Sequence, residues 1–111
     1  MGSLGFCLVV RFALRPGSAD GFDGLVAETI PLIEEREPGT LMYAVHEVED
    51  DADGRVFYEV YRDRASFDAH EAQEHVRRFL AEREQYLTEP PRVEFLNLRK
   101  GAAVAWLDRG S

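Results

Sequence analysis

Four short segments of the chain are rich in β-branched and aromatic residues and are bounded by turn-forming residues, which predicts four strands. They span residues 5–14, 40–49, 55–62 and 92–99. Asp53-Gly54, a dipeptide typical of tight hairpin turns, lies between the second and third segments. We therefore expect these two strands to be antiparallel neighbours joined through residues 50–54.

Two longer segments carry apolar residues at the spacing of an amphipathic helix. The first follows a candidate N-cap at Asp20, and Pro31 in its middle predicts a kink or a second short helix. The second follows a candidate cap at Asp63, extends past Glu74 and ends before Pro90-Pro91. The stripe of the first helix consists of Phe22, Leu25, Val26, Ile30 and Ile33. The later part of the second has Val76, Phe79, Leu80, Arg83 and Leu87 on one face.

The order of elements is β-α-β-β-α-β, the split βαβ pattern of ferredoxin-like folds. It predicts an α+β domain with an antiparallel sheet and both helices on one face. The strands hold more apolar residues than one helical layer can cover, so we expect a homodimer stacked sheet to sheet. These residues are Leu8, Val9, Val10, Tyr43, Val45, Phe57, Tyr58, Val60 and Tyr61.

The 111 residues fit one domain, with a core over residues 5–98 and a tail over 99–111. The apolar run 102–107 in that tail is expected to pack on this chain or on a partner. A formal net charge of −8 argues against nucleic acid and anionic membranes as partners. The single cysteine and the lack of a signal-like or membrane-spanning segment favour the cytoplasm.

Two groups of residues carry a resemblance to a known family. Glu37-Pro38-Gly39 is followed by Tyr43 in the next strand, and the segment 58–63 (YEVYRD) is followed by Ala65, Phe67, His70 and His75. This pattern resembles the antibiotic biosynthesis monooxygenase family, which includes the quinol monooxygenases, over roughly residues 5–98. The resemblance implies a dimeric α/β barrel with one pocket per subunit between sheet and helices. Residues of the third strand and the histidines of the second helix would line that pocket.

The same resemblance implies a cofactor-independent monooxygenase that oxidises a quinol or polyphenolic aromatic with O2. Haem-degrading relatives place an Asn in the first strand, and the run Cys7–Phe12 has none, which argues against haem chemistry. Tyr61 stands where many members have Trp, which keeps an aromatic wall and adds a hydroxyl. The alternative is a small-molecule binding or cyclase-type protein of aromatic polyketide metabolism on the same dimer; a purely structural dimerisation module is a third possibility.

Oxygen reacts slowly with closed-shell organic molecules, but a deprotonated quinol or phenol can give it an electron without a cofactor. The protein then needs a base, a donor for the developing oxyanion and a dry aromatic cavity. His75 is our candidate base, and Tyr61, Tyr43 or His70 are candidate donors. Candidate substrate-binding residues are Tyr43, Phe57, Glu59, Phe67, Phe79 and Trp106.

Plainer roles stay open for several of these residues. His75 could merely support a helix junction, and Glu59 could form a buried ion pair with Arg11 or Arg62. His70 and His75 are one position further apart than in the H-E-x-x-H zinc motif. On a continuous helix their rings would diverge by about 140°, so no metal is expected, although a break near Gln73 could bring both rings toward one cavity.

Overall fold

The computed structural model describes residues 5–101, in which helices pack on one face of a four-stranded antiparallel sheet. The sheet has the strand order β2-β3-β1-β4, which confirms the ferredoxin-like α+β prediction. The strands are β1 (Phe6–Ala13), β2 (Thr40–Val48), β3 (Asp51–Tyr61) and β4 (Arg92–Leu96). The helices are α1 (Ala19–Arg36), α2 (Arg64–Ala72) and α3 (Glu74–Glu82), followed by a 3₁₀ turn, Arg83–Tyr86.

Helix α1 is continuous through Pro31, so no second helix begins there. Pro31 lies on the exposed side of the helix, where water can satisfy the carbonyl that loses its donor. The predicted cap at Asp20 is wrong, because the N-cap is Ser18 and Asp20 lies in the first turn. The carbonyl oxygen of Ser18 already accepts from the backbone N–H of Phe22, 2.9 Å away, which starts the helix two residues earlier.

The hairpin between β2 and β3 turns at Glu49 and Asp50, not at Asp53-Gly54. Asp50 has a φ of 63°, in the left-handed region that aspartate tolerates better than most residues. Gly54 lies inside β3, opposite Ala13 of β1. The acidic residues before the Asp-Gly pair therefore form the turn, and β3 begins four residues earlier than expected.

The two faces of the sheet differ because side chains alternate along a strand. On β1, Leu8, Val10 and Phe12 join the core beneath the helices, which leaves Cys7 and Val9 on the other face. The outer face also carries the partly buried Tyr58 and Val60 of β3. Between the inner face and the helices lie four fully buried aromatic side chains: Phe12, Phe57 and Tyr61 from the sheet and Phe22 from α1.

The second helical region is interrupted at Gln73, whose backbone is extended with a ψ of 142°. Asp63 caps α2 as predicted, because its carboxylate accepts from the backbone N–H of Ser66 at 2.8 Å. The prediction for Trp106 and for the apolar run 102–107 falls outside the described residues. Within residues 5–101, no helix is both long enough and apolar enough to cross a membrane.

Candidate functional site

The corner after α1 buries a carboxylate. Glu37 directly follows the last residue of α1, and its side chain is only 3% exposed. Gly39 lets the corner lie against α2, since a Cβ there would sit 2.6 Å from the Cβ of Ser66. The carbonyl of Gly39 also accepts from the N–H of Arg62 at 2.9 Å. The Glu-Pro-Gly segment therefore fixes a buried acid against the start of α2.

Three side chains hold the carboxylate of Glu37. His70 Nδ1 lies 2.6 Å from Oε1, and Thr40 Oγ1 donates to the same oxygen at 2.7 Å. His75 Nε2 lies 2.5 Å from Oε2. Glu37, His70 and His75 thus form a buried His–Glu–His cluster that ties the end of α1 to both α2 and α3.

The electrostatics of the cluster favour an ionised glutamate. Burial acts to raise the pKa of Glu37, but the hydrogen bond and charge of His70 and the bonds from Thr40 and His75 outweigh it, so this pKa is lowered. An ionised carboxylate only accepts, so both histidines must donate to it. In the neutral form of His70 the proton is then on Nδ1, and Nε2 is the nitrogen with a free lone pair. In the neutral form of His75 the corresponding nitrogen is Nδ1, which is buried without a partner among the described residues.

The two imidazoles do not diverge, because the structure has the break near Gln73 that the sequence left open as the alternative to a continuous helix. Extended Gln73 separates α2 from α3 and changes the direction of the chain between the histidines. The five-residue spacing therefore delivers both rings to one carboxylate, as only a break could. Within the described part of the chain, no set of three or more His, Cys, Asp or Glu side chains is arranged to hold a metal ion.

A cavity of about 370 Å³ lies between the sheet and the helices. Its size is typical of small-molecule pockets. Most of its wall is apolar or aromatic, and His70 enters it from α2, with its ring centroid 5.5 Å from that of Tyr43. The cavity is lined by Leu8, Val10, Tyr43, Phe57, Glu59, Arg64, Phe67, His70, Glu71, Val76, Phe79, Leu80, Arg83, Val93 and Phe95.

Glu59 is the buried acid of this cavity, and it is 5% exposed. The hydroxyl of Tyr61, two residues on and on the same face of β3, donates to Glu59 Oε1 at 2.5 Å. Burial raises the pKa of Glu59, although the bond from Tyr61 and the charge of His70 act against it. Burial also raises the pKa of Tyr61, so its hydroxyl stays protonated. The suggested ion pair with Arg11 is not formed, because Arg11 bonds Asp51 at 2.8 Å.

The structure brings most of the predicted site residues together in the wall of this cavity. They are Tyr43, Phe57, Glu59, Phe67, His70 and Phe79. Tyr61 does not line the cavity itself, but it contacts three residues that do: it donates to Glu59 and packs against Phe67 and His70. His75 does not line the cavity either, and it is bonded to Glu37. Trp106 is outside the described residues.

Sequence reasoning missed two residues of the site. Glu37 was noted only as part of a motif, although its place before a Pro-Gly corner was the available signal. Arg83 was noted only as a member of the helical stripe, and a charged residue among apolar ones was the signal there.

A second, smaller space lies on the other side of His70. It is a surface cleft of about 300 Å³ between the Glu37–Thr40 corner and the start of α2. Arg36, Arg62 and Asp63 contribute charged groups to it. Among the residues lining the two spaces, His70 alone belongs to both. Its imidazole therefore separates the inner cavity from a solvent-facing cleft.

Comparison with known proteins agrees with this architecture. The chain resembles the structure of Rv0793 from Mycobacterium tuberculosis with 26% identity and a TM-score of 0.82, covering 89% of this chain and 99% of that one. It resembles the crystal structure of PA3566 from Pseudomonas aeruginosa with 23% identity and a TM-score of 0.79, covering 88% of this chain and 97% of that one. The likeness to a crystal structure of an antibiotic biosynthesis monooxygenase has 23% identity and a TM-score of 0.78, covering 86% of this chain and 99% of that one. No curated protein matches.

A family profile matches the chain directly, in addition to the likeness to individual structures. The profile described as antibiotic biosynthesis monooxygenase matches residues 5–82, which include Glu37, both histidines of the cluster and most of the cavity wall. The matched region also contains the elements from β1 to α3 and the Glu-Pro-Gly corner. The chain belongs to the antibiotic biosynthesis monooxygenase family.

Proposed function

We propose that this protein is a cofactor-independent monooxygenase that oxidises a quinol or polyphenolic aromatic with O2 inside the cavity of about 370 Å³. The observation that carries the proposal is the position of His70. Its ring lines an aromatic cavity, while its Nδ1 lies 2.6 Å from a buried carboxylate, that of Glu37. Membership of a monooxygenase family supports the reaction class but not the substrate.

His70 is assigned as the base in place of His75. In the neutral form of His70 the bond to Glu37 keeps the proton on Nδ1, so Nε2 can accept the proton of a substrate hydroxyl. The carboxylate then stabilises the imidazolium that forms, as a buried acid does behind the histidine of a catalytic triad. His75 does not line the cavity, and its role is to hold the second oxygen of Glu37 in place.

The remaining cavity groups complete the requirements of the reaction. Glu59, with Tyr61 as its donor, can orient a second hydroxyl of the substrate. The aromatic walls give the ring of the substrate an apolar surface to pack against, and loss of its proton makes the substrate electron-rich. For a methylene flanked by aromatic rings, the carbanion transfers an electron to O2, recombination gives a carbon-bound hydroperoxide, and loss of water leaves a carbonyl. One oxygen atom enters the product, the other leaves as water, and all the electrons come from the substrate.

The position of His70 also gives the abstracted proton a path to solvent. His70 lines both the cavity and the surface cleft, and the Glu37 corner forms the wall of that cleft. A proton taken up on the cavity side can therefore reach solvent without passing the substrate. This arrangement lets the base be regenerated from the side of His70 that faces away from the substrate.

We also propose that the chain works as a homodimer. Val9, Tyr58 and Val60 form an apolar patch on the face of the sheet that carries no helix. A second copy stacked on this face would remove the patch from water. Light scattering at micromolar concentration should give twice the mass of the chain, and Tyr58→Glu should give the mass of one chain. A monomeric wild-type protein would remove the dimer from the account.

Oxygen uptake tests the proposed activity. Chelator-treated protein is mixed with reduced naphthoquinones and hydroxylated anthrones, and uptake is compared with the autoxidation blank. We expect uptake above the blank, and a fall of about 100-fold in kcat for His70→Gln, which is the usual contribution of a general base. His46→Gln is the matched control, because His46 is exposed and far along β2. Flat traces together with ligand-induced stabilisation would instead favour the binding or cyclase-type alternative.

A further inference from the structure

Arg83 places a positive charge in the wall of the cavity. It opens the 3₁₀ turn after α3, and its side chain is 18% exposed. The guanidinium carbon lies 5.3 Å from the ring centroid of Phe12 and 5.8 Å from that of Phe79. The two rings hold the flat guanidinium from the apolar side, so its position is fixed before any ligand arrives.

This charge is poorly compensated within the protein. The Nε atom of Arg83 is buried and has no hydrogen-bond partner among residues 5–101. The one carboxylate of the described chain within ion-pair distance belongs to the exposed Glu84, and at 4.0 Å it is too far for a hydrogen bond. Burial lowers the pKa of Arg83, although the electrostatic effect of Tyr43 and of the carboxylates of Glu84, Glu59 and Glu71 acts against it.

The buried Arg55 shows how a structural guanidinium is satisfied in the same fold. Arg55, 6% exposed in its side chain, donates to both carboxylate oxygens of Asp23 at 2.9 Å. It also donates to the carbonyls of Ala52 and Gly54 at 3.0 and 2.8 Å. Leaving a buried polar group unsatisfied is costly, so proteins avoid it unless a ligand completes the site. Arg83, unlike Arg55, faces a cavity large enough to hold that ligand.

The carboxylates in the same cavity wall do not neutralise Arg83. Glu59 and Glu71 both line the cavity and attract Arg83, yet neither is within 4 Å of it in the described chain. Glu59 is already bonded to Tyr61. A ligand that donates a hydroxyl toward Glu59 and presents an anionic oxygen toward Arg83 would satisfy both groups at once.

We infer that the cavity selects hydroxylated aromatic ligands that also carry an anionic oxygen group, a carboxylate being the simplest, and that Arg83 binds this group. The inference rests on the site of the proposed function and narrows its substrate class. Because the net charge of the chain is −8, long-range attraction cannot favour such a ligand, and the preference depends on this one local cation.

Anaerobic calorimetric titration with two probes tests the inference without turnover. The probes are 4-hydroxy-1-naphthoate and 1-naphthol, which share the bicyclic ring and the hydroxyl and differ in the carboxylate. Wild type should bind the naphthoate about 10- to 100-fold more tightly, as a charge-assisted hydrogen bond provides. Arg83→Met should lose this preference and keep its affinity for 1-naphthol. Arg83→Lys should retain part of the preference.

Arg77→Met is the matched control, because it removes the same charge from an exposed position of α3 and should bind as wild type does. Equal binding of both probes by wild type, survival of the preference in Arg83→Met, or binding of neither probe at millimolar concentration would each overturn the inference. A thermal melt of each variant separates loss of binding from loss of folding. Since no oxygen is present, absence of oxygenase activity leaves this result unaffected, and a negative result here leaves the proposed reaction standing.

Discussion

Replacing Glu37 by glutamine should weaken the junction between α1 and the two later helices. The amide oxygen of the introduced side chain can still accept from His70 and Thr40, but its NH2 group would meet Nε2–H of His75, which now donates to Oε2 at 2.5 Å. One charge-assisted hydrogen bond to a buried group is therefore lost, which costs about 2 kcal/mol. Glu37→Ala removes all three bonds and should cost about 3–5 kcal/mol.

The assay is urea unfolding and thermal melting at one fixed protein concentration, since dimerisation would otherwise shift the midpoints. For a domain of this size, Glu37→Gln should lower Tm by roughly 10 °C. Glu35→Gln is the matched control, because Glu35 lies on the same helix with a side chain 69% exposed and should change stability by less than about 0.5 kcal/mol. Equal stabilities of Glu37→Gln and Glu35→Gln would refute the reasoning that the cluster is a structural tie.

The stabilisation by Glu37 should depend on pH in a defined direction. The folded-state pKa of Glu37 is lowered, because the bonds from His70, Thr40 and His75 outweigh the effect of burial. Its contribution to stability is therefore complete above the ordinary glutamate pKa of about 4.3 and is lost as the pH falls through the lowered value. The stability gap between wild type and Glu37→Gln should be constant near neutral pH and shrink below about pH 4. A gap that instead widens on acidification would contradict the assignment of an ionised Glu37.

Three further changes have defined outcomes. Glu59→Gln should raise Tm at pH 7. Burial raises the pKa of this carboxyl, so the wild type loses stability as the pH rises above the ordinary pKa of glutamate, and thermal melts across pH 4–8 check this. Tyr61→Phe removes the donor to Glu59 and should lower stability by about 1–3 kcal/mol in urea unfolding. Gly39→Ala should cost about 1–3 kcal/mol, since its Cβ would lie 2.6 Å from that of Ser66, and adding Ser66→Gly should recover part of the loss.

Most of the fold could be predicted from the sequence because each element carries its own periodic signal. The strands and the order β-α-β-β-α-β follow from short apolar runs and the breaks between them. The turn position and the effect of Pro31 were not predictable with the same rules. An aspartate at φ 63° can replace the expected glycine, and a proline on an exposed helix face interrupts no packing.

The candidate site was predictable in composition but not in connectivity. The aromatic walls and His70 follow from residue type and family position. The sequence did not predict that Glu37 is the partner of both histidines, because it is more than 30 positions away from them and only tertiary packing brings it close. The spacing of the two histidines left two outcomes open, diverging rings on a continuous helix or converging rings at a break, and only the structure shows the break at Gln73. Contacts that depend on one irregular residue are invisible to a rule that assumes a continuous helix.

The most direct test of the account is the fate of the oxygen atoms in a single turnover. A hydroxylated anthrone is converted by chelator-treated protein under ¹⁸O₂, and the quinone product is analysed by mass spectrometry, with a parallel reaction in H₂¹⁸O. We expect one ¹⁸O atom in the product from ¹⁸O₂, none from labelled water, no stoichiometric hydrogen peroxide, and loss of the labelled product in His70→Gln. Unlabelled product, stoichiometric peroxide, or equal labelling by wild type and His70→Gln would contradict a monooxygenase reaction that depends on His70.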